Sequence, residues 1–289
     1  MFLIARKTKY FILIILFSGT VFIWSVIFIQ TPNNILEVYF FDVGQGDSIF
    51  IETPNKKQIL IDGGPDKTVL EKLNQAMPFY DQTIDLIILT HPDADHLTGL
   101  IEVLEYYQIG HILTSGFQKD TAGYQEWQRL IKKKEIPLTI AQIGQNIVLQ
   151  DGIVLEILWP DQSLISSYSN PVNNVSVVGR LVYGDIEIFL TGDIENKVEK
   201  YLVDQDIWLE SDILKLAHHG SKTSSIQSFI NKVNPEISVI SVGENNKYNH
   251  PHETVLEKLK NSIIYRTDKN GDIQILTDGI LFDIVSEKK

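Results

Sequence analysis

A continuous apolar run, IDLIILT (84–90), passes directly into HPDADH (91–96) and then into LTGLIEVLEYY (97–107). An unbroken run of that length reads as a strand buried on both faces. Leu97, Leu100, Ile101 and Leu104 share one face of a following helix. A buried strand feeding a helix requires a sheet covered by helices, and it places the intervening loop where sheet-based folds bind ligands. That loop holds two histidines and two aspartates. Carboxylates enclosed there need a counter-charge, and metal ions supply it; the competing reading is a solvated cap. Tight folding of the loop splits the donors into His91 with Asp93 for one ion and Asp95 with His96 for a second, about 3.5–4 Å away.

The remainder is patterned in the same way. Strands are predicted at 36–44, 47–53 and 57–64, a helix at 66–76, and further strands at 138–142, 152–158, 175–183, 185–190, 212–217 and 236–243. Helices are predicted near 195–203, 224–233 and 252–260, with short strands over 263–284. Two strand-rich halves with helices imply stacked sheets covered on their outer faces. SLISSYSNPVNN (163–174), rich in Ser and Asn, reads as a mobile loop that can border a site.

Residues 10–29 carry no charge. As a helix they span roughly 30 Å, a bilayer core. Arg6, Lys7 and Lys9 precede them, which predicts a cytoplasmic N-terminus and an extracytoplasmic remainder. The run is too long for a signal-peptide core and lacks a small-x-small site. The expectation is therefore a single-pass anchor in the cell membrane over residues 1–32 and a catalytic domain over 33–289. The absence of cysteine excludes disulfides, thiolate metal sites and a cysteine nucleophile, and suits an extracytoplasmic domain. A net charge of −12 favours solubility and lacks the broad basic footprint of a non-specific nucleic-acid binder. Any DNA would have to be gripped locally, through metal ions.

Three more segments carry donors. FLTGDIE (189–195) ends a strand with Asp193, which can bridge two ions. LAHHGSKTS (216–224) sets His218 and His219 at another strand end, and NKYNHPHETV (246–255) adds His250 and His252. Of the seven histidines only His111 stands outside this pattern, and it reads as a satisfied surface or core residue.

Taken in order, DVGQGDS (42–48), LIDGG (60–64), THPDADH (90–96), LTGD (190–193), HHGS (218–221) and NHPH (249–252) resemble the metallo-β-lactamase superfamily. The resemblance is to the branch containing the hydrolase domain of ComEC-type competence (DNA-uptake) proteins, and it covers residues 36–284. It implies a four-layer αββα sandwich with a two-metal site at one edge, preceded here by the single N-terminal transmembrane helix. It also implies that His91 and Asp93 serve one ion, Asp95 and His96 the other, and Asp193 both. His219 or His218, and then His250, complete the ligand shells, and Asp62 orients a histidine or the loop. Where the wider superfamily has imidazole this chain has Asp93, and near its second strand pair only Asn173 and Asn174. The harder donor set shifts preference from Zn²⁺ towards Mn²⁺, so the ions are expected to be two Mn²⁺ or Zn²⁺. ComEC-type proteins carry a many-helix channel that is not matched here, so DNA translocation is not carried over to this chain; a separate DNA-translocation channel protein is one candidate partner.

The implied activity is a metal-dependent phosphodiesterase or nuclease acting on DNA, with single-stranded DNA or a small phosphodiester as substrate. Asp95 and His252 are its catalytic candidates, the latter as proton donor to the leaving group, and Lys222 and Asn174 are candidate phosphate contacts. The alternatives are other ester substrates on the same site, or a non-catalytic accessory subunit whose metal only holds the loops together.

Overall fold

The computed structural model describes residues 2–30, 34–169, 172–205 and 207–288. The expected boundary at residue 32 lies outside the described residues. The chain divides into two compact units, 1–34 and 35–289. In the first, helix α1 (Phe2–Gln30) contains a segment, Lys7–Trp24, long and apolar enough to cross a membrane.

In the second unit, chain order runs β1 (Leu36–Phe40), β2 (Ile49–Glu52), β3 (Gln58–Ile61), α2 (Thr68–Ala76), β4 (Thr83–Leu89), α3 (Ala94–Tyr106), β5 (Gln108–Thr114), α4 (Ala122–Lys134) and β6 (Leu138–Ile140). The second half continues with β7 (Asn146–Val148), β8 (Val154–Trp159), α5 (Ile165–Tyr168), β9 (Val178–Tyr183), β10 (Ile186–Leu190), α6 (Asn196–Asp204), β11 (Ile213–Lys215) and α7 (Gln227–Val233). Last come β12 (Ile237–Ile240), α8 (Glu253–Leu256), β13 (Ile263–Arg266), α9 (Thr267–Asn270), β14 (Ile273–Thr277) and β15 (Phe282–Ser286). An eight-stranded sheet has the order β15-β14-β1-β2-β3-β4-β5-β6, and a seven-stranded sheet the order β13-β12-β11-β10-β9-β8-β7.

Alternation along the strands explains the layering. Val38, Phe40, Ile49, Ile51, Ile59 and Ile61 of the first sheet meet Leu155, Ile157, Leu181, Ile188 and Ile213 of the second in a core between the sheets. The opposite faces are equally apolar, and helices cover them. Phe50, Leu60 and Ile87 pack on Val69, Leu73, Leu100, Tyr124 and Trp127 of α2, α3 and α4. Phe189, Leu214 and Ile240 pack on Val198, Leu202, Phe229 and Val233 of α6 and α7. The result is the expected αββα sandwich.

Strands β3 to β6 run parallel, as do β10 to β13. The carboxyl ends of β3, β4, β10 and β11 carry Asp62, His91, Asp193 and the 216–221 turn, where α/β sheets place their ligands. Of the 163–174 segment expected to be a mobile loop, residues 170 and 171 lie outside the described residues; the rest includes α5 and a 3-10 turn (Val172–Val175), with Asn174 and Val175 buried. Tyr168 packs edge-on against Trp159 at 4.9 Å, and that aromatic anchor overrides the polar composition.

Candidate metal centre

The loop after β4 is rigid because backbone packs on backbone. A Cβ on Gly99 of α3 would lie 1.9 Å from the Gly63 carbonyl oxygen, and one on Gly46 (φ +145°) would lie 2.2 Å from that of Asp95. These glycines let the DVGQGDS and LIDGG loops abut the start of α3. Asp93 occupies the N-cap of α3 yet makes no side-chain cap hydrogen bond. Its carboxylate instead accepts from Lys119 Nζ at 2.6 Å and comes within 3.9 Å of His91 Nε2. A residue type well suited to capping is thus diverted to the site.

Three imidazoles are fixed by their Nδ1 partners. His96 Nδ1 lies 2.7 Å from Asp62 Oδ2, and that carboxylate also accepts from the Thr90 backbone N–H (2.8 Å) and hydroxyl (2.6 Å). His219 Nδ1 lies 2.8 Å from the Ser241 carbonyl oxygen. Both partners accept, so both Nδ1 atoms carry the proton. His91 Nδ1 faces the hydroxyls of Thr90 (3.1 Å) and Ser176 (3.2 Å). Those hydroxyl protons go to Asp62 and to the Asn173 carbonyl oxygen, so His91 donates as well. In all three rings the Nε2 lone pair is left, the tautomer metal-ligating histidines adopt.

These Nε2 atoms are buried and make no hydrogen bond. They converge on Asp193, whose Oδ2 is 3.2 Å from His96 Nε2 and 3.3 Å from His219 Nε2, while its Oδ1 is also without a hydrogen bond. His91, His96 and Asp193 bring donor atoms within 4.8 Å of one another, and so do Asp95, His96 and His219. Unbonded buried donors of this kind fit divalent cations. Two consecutive left-handed residues, His218 (φ 49°) and His219 (φ 55°), form the turn that carries the His219 ring, a conformation outside glycine that clusters at functional sites.

Electrostatics point the same way. Burial, then the neighbouring His96, pushes His91 down to about 3, keeping it neutral. Burial opposes charge on His96 and His219, but Asp193 together with Asp62 or Asp47 outweighs it and holds both imidazoliums well above their ordinary range. The carboxylates thus demand cations, for which protons and metal ions compete. Partial burial raises the carboxyl of Asp95, but His219, whose Nε2 stands 3.7 Å from it, and the charge of His96 hold it below the usual carboxylate range.

Two residues of this cluster carry no role in the motifs. Asp47 lies wholly buried beneath the site, paired with Lys215, which is itself fully buried. Lys215 Nζ is also 3.7 Å from Asp193 Oδ1 and 3.2 Å from the Gly192 carbonyl oxygen. Burial raises the Asp47 carboxyl, but Lys215 and then His219 pull it down to about 2. The available signal was a single lysine inside the apolar strand DILKLA.

Other expected residues fall at the rim or away from it. His218 sits apart from those donor groups: it lies 3.5 Å from Glu195 and 3.3 Å from the Asn173 amide nitrogen, so the structure brings His219, not His218, to Asp193. Asn174 is buried, and its side-chain oxygen accepts from the Glu195 N–H (2.9 Å). Lys222 is exposed. His250 is half-buried, its ring 5.7 Å from that of His218, and burial followed by the charges of His218 and His219 brings it down to about 4. His252 stands 5.6 Å from His250, at the N-cap of α8. His111 lies on β5, 2.8 Å from the Thr139 hydroxyl, away from the cluster.

The profile of the metallo-beta-lactamase superfamily matches residues 41–244. ComE operon protein 3 of Bacillus subtilis is 32% identical over 259 residues, covering 82% of this chain and 32% of its own length. Competence protein ComA of Neisseria gonorrhoeae is 31% identical over 250 residues, covering 84% of this chain and 32% of its own. The chain therefore spans about a third of the length of these relatives. Among solved structures, the metallo-beta-lactamase fold protein YhfI of Bacillus subtilis superposes with a TM-score of 0.54 at 13% identity, covering 83% of this chain and 99% of that one. Igni18, a metallo hydrolase of Ignicoccus hospitalis, gives a TM-score of 0.51 at 14% identity, covering 83% and 98%. At such identities the two share a fold with this chain and nothing finer. The sandwich, the histidine–aspartate cluster at its edge and the match over 41–244 place this chain in the metallo-beta-lactamase superfamily, with competence proteins among its relatives.

Proposed function

We propose that this chain is a metal-dependent phosphodiesterase that cleaves DNA, single strands in particular, in a DNA-uptake setting. The observation that carries the reading is the convergence of three buried, unbonded Nε2 atoms on Asp193. His91, Asp93, Asp95, His96, Asp193 and His219 would hold divalent ions, which would supply Lewis acidity for activating water and for stabilising charge on a phosphoryl oxygen. Asp62 fixes the His96 tautomer, and Lys215 balances the carboxylate charge from below. At the mouth, His218 and His252 are donors for phosphate oxygens or a leaving alkoxide, and His250, whose buried Nδ1 makes no hydrogen bond, is a further candidate ligand. DNA is favoured by the likeness to competence proteins across more than four-fifths of the chain. The same likeness motivates two further parts of the proposal: α1 tethers the domain to the membrane with its N-terminus in the cytoplasm, and a translocation channel supplies the strand.

The test uses the full chain in detergent, stripped of metal and reloaded with Mn²⁺ or Zn²⁺, acting on end-labelled single-stranded DNA. The expected result is metal-dependent cleavage that disappears, together with bound metal, in Asp193→Ala. A metal-loaded wild type that leaves DNA intact refutes the assignment.

A further inference from the structure

Beside the centre, rings continue outward to the surface. His91, His96, His219, His218, His250 and Tyr248 follow one another with centroids 4.2, 5.5, 6.1, 5.7 and 5.6 Å apart. The outermost pair is different in kind. Tyr248 and His250 are nearly parallel, at 25°, and Tyr248 is 49% exposed.

An exposed aromatic on a loop is ordinary unless the loop is built to present it. Here Asn246 ties the loop at four points. Its amide donates to the Gly243 (3.0 Å) and His250 (2.7 Å) carbonyl oxygens, and its side-chain oxygen accepts from the His250 (2.9 Å) and Tyr248 (3.2 Å) backbone N–H groups. The base of the loop is fixed to the floor of the site: Gly243 N–H donates to Gln45 Oε1 at 3.2 Å, and a Cβ on Gly243 would lie 2.6 Å from the Gln45 nitrogen. Lys247 lays its ammonium over the Tyr248 ring, 5.0 Å from the centroid, on a flexible side chain that an incoming base displaces when it stacks. An exposed ring, held rigidly and accompanied by a cation, is the composition that single-strand binders use to stack a base while tracking its backbone.

We propose that the Tyr248–His250 pair is a stacking platform for a nucleobase next to the scissile phosphate, and that it makes the site select single-stranded over duplex DNA. A base inside a duplex has both faces covered by its neighbours and cannot use the platform. The inference rests on the phosphodiesterase reading above for its placement beside a scissile bond, but the platform itself can be tested without turnover.

Two arms separate these claims, both with the full chain in detergent. In the first, metal-loaded wild type, Tyr248→Ala and Tyr248→Phe act on a single-stranded oligonucleotide, its duplex, and an abasic oligonucleotide of equal length. The alanine variant should raise KM on the single strand roughly tenfold, the effect of one base–aromatic stack, with kcat little changed. KM on the abasic strand should stay the same, and phenylalanine should behave as wild type. In the second arm, metal-free protein is titrated into a single strand containing 2-aminopurine, whose fluorescence is quenched on stacking. Quenching that Tyr248→Ala abolishes and Tyr248→Phe keeps supports the platform, even if no diester is cleaved and the phosphodiesterase reading has failed. Equal KM for alanine variant and wild type, or no quenching by the wild type, overturns it.

Discussion

Lys215→Met removes a cation with no solvent exposure from beneath two buried carboxylates, Asp47 and Asp193. At an effective dielectric of about 20, a 3.7 Å approach to Asp193 is worth about 4 kcal/mol of attraction, before the closer contact with Asp47 is counted. Methionine fills nearly the same volume, so the change is one of charge. Leaving buried charge without its partner costs about 3–5 kcal/mol. The pH dependence follows from the sign of each shift. Burial opposes charge on Lys215, but Asp47 and Asp193 raise it above its ordinary value, so its contribution is complete below about pH 10 and lost only at higher pH. Asp47, drawn down to about 2, contributes fully above about pH 4 and loses that contribution as the pH falls towards 2. Between pH 5 and 8 the pair therefore adds no slope in the wild type. Without the lysine the carboxyl of Asp47 rises and takes up a proton on acidification, so the deficit of the variant should shrink from pH 8 to pH 5 by more than about 1 kcal/mol. Urea unfolding of the chelator-treated chain in detergent, followed by tryptophan fluorescence, measures both values. Lys215→Met with Asp47→Asn should recover much of the loss, because both charges of the pair are then gone. A variant as stable as wild type, or a deficit equal at both pH values with no recovery in the double variant, refutes the charge-balance argument.

Asp62→Asn removes the carboxylate that sets the His96 tautomer, and should weaken metal affinity about 10–100-fold in competition with a chromophoric chelator. Gly99→Ala would set a methyl group against the Gly63 carbonyl and should cost about 3 kcal/mol, a melting temperature roughly 6–12 °C lower by circular dichroism. Glu199, buried in α6, accepts from the Ser225 and Ile226 N–H groups that follow the HHGSKTS turn, and burial pushes it up to about 7. A raised carboxyl favours the fold below about pH 4 and loses that contribution as the pH climbs through 7. Glu199→Gln should accordingly flatten the fall in urea midpoint between pH 5 and pH 8, and an unchanged slope would assign that fall to other groups.

Elements with strong periodicity were readable from the sequence to within a few residues. IDLIILT became β4 (Thr83–Leu89), and the Leu97–Leu104 face lies on α3 (Ala94–Tyr106). Others carry weak signals: β5 (Gln108–Thr114) includes Gly110 and His111, and α4 (Ala122–Lys134) buries only Tyr124, Trp127 and Leu130 among polar neighbours. For the site, the dense motif loops held the residues that the structure brings together, His91, His96, Asp193 and His219, because four candidate donors in six positions are hard to place otherwise. What patterning could not give was partnership. The Asp47–Lys215 pair joins the ends of β1's loop and β11, and Lys119 reaches Asp93 from another loop. Nor could it choose between His218 and His219, since the left-handed turn through both decides which ring faces inward.

The donors on the two sides of the centre belong to different sheets. His91, Asp95 and His96 follow β4 of one, whereas Asp193 and His219 follow β10 and β11 of the other. An ion held by His96 and Asp193 together would close a loop of roughly 100 residues in a chain without a cysteine. A covalent link of that span withdraws chain entropy from the unfolded state worth about 4–5 kcal/mol. Metal loading should then act as a topological lock between the sheets. Stripping the ions would let the halves of the sandwich part more often, and proteolysis would register that opening even where no substrate is at hand.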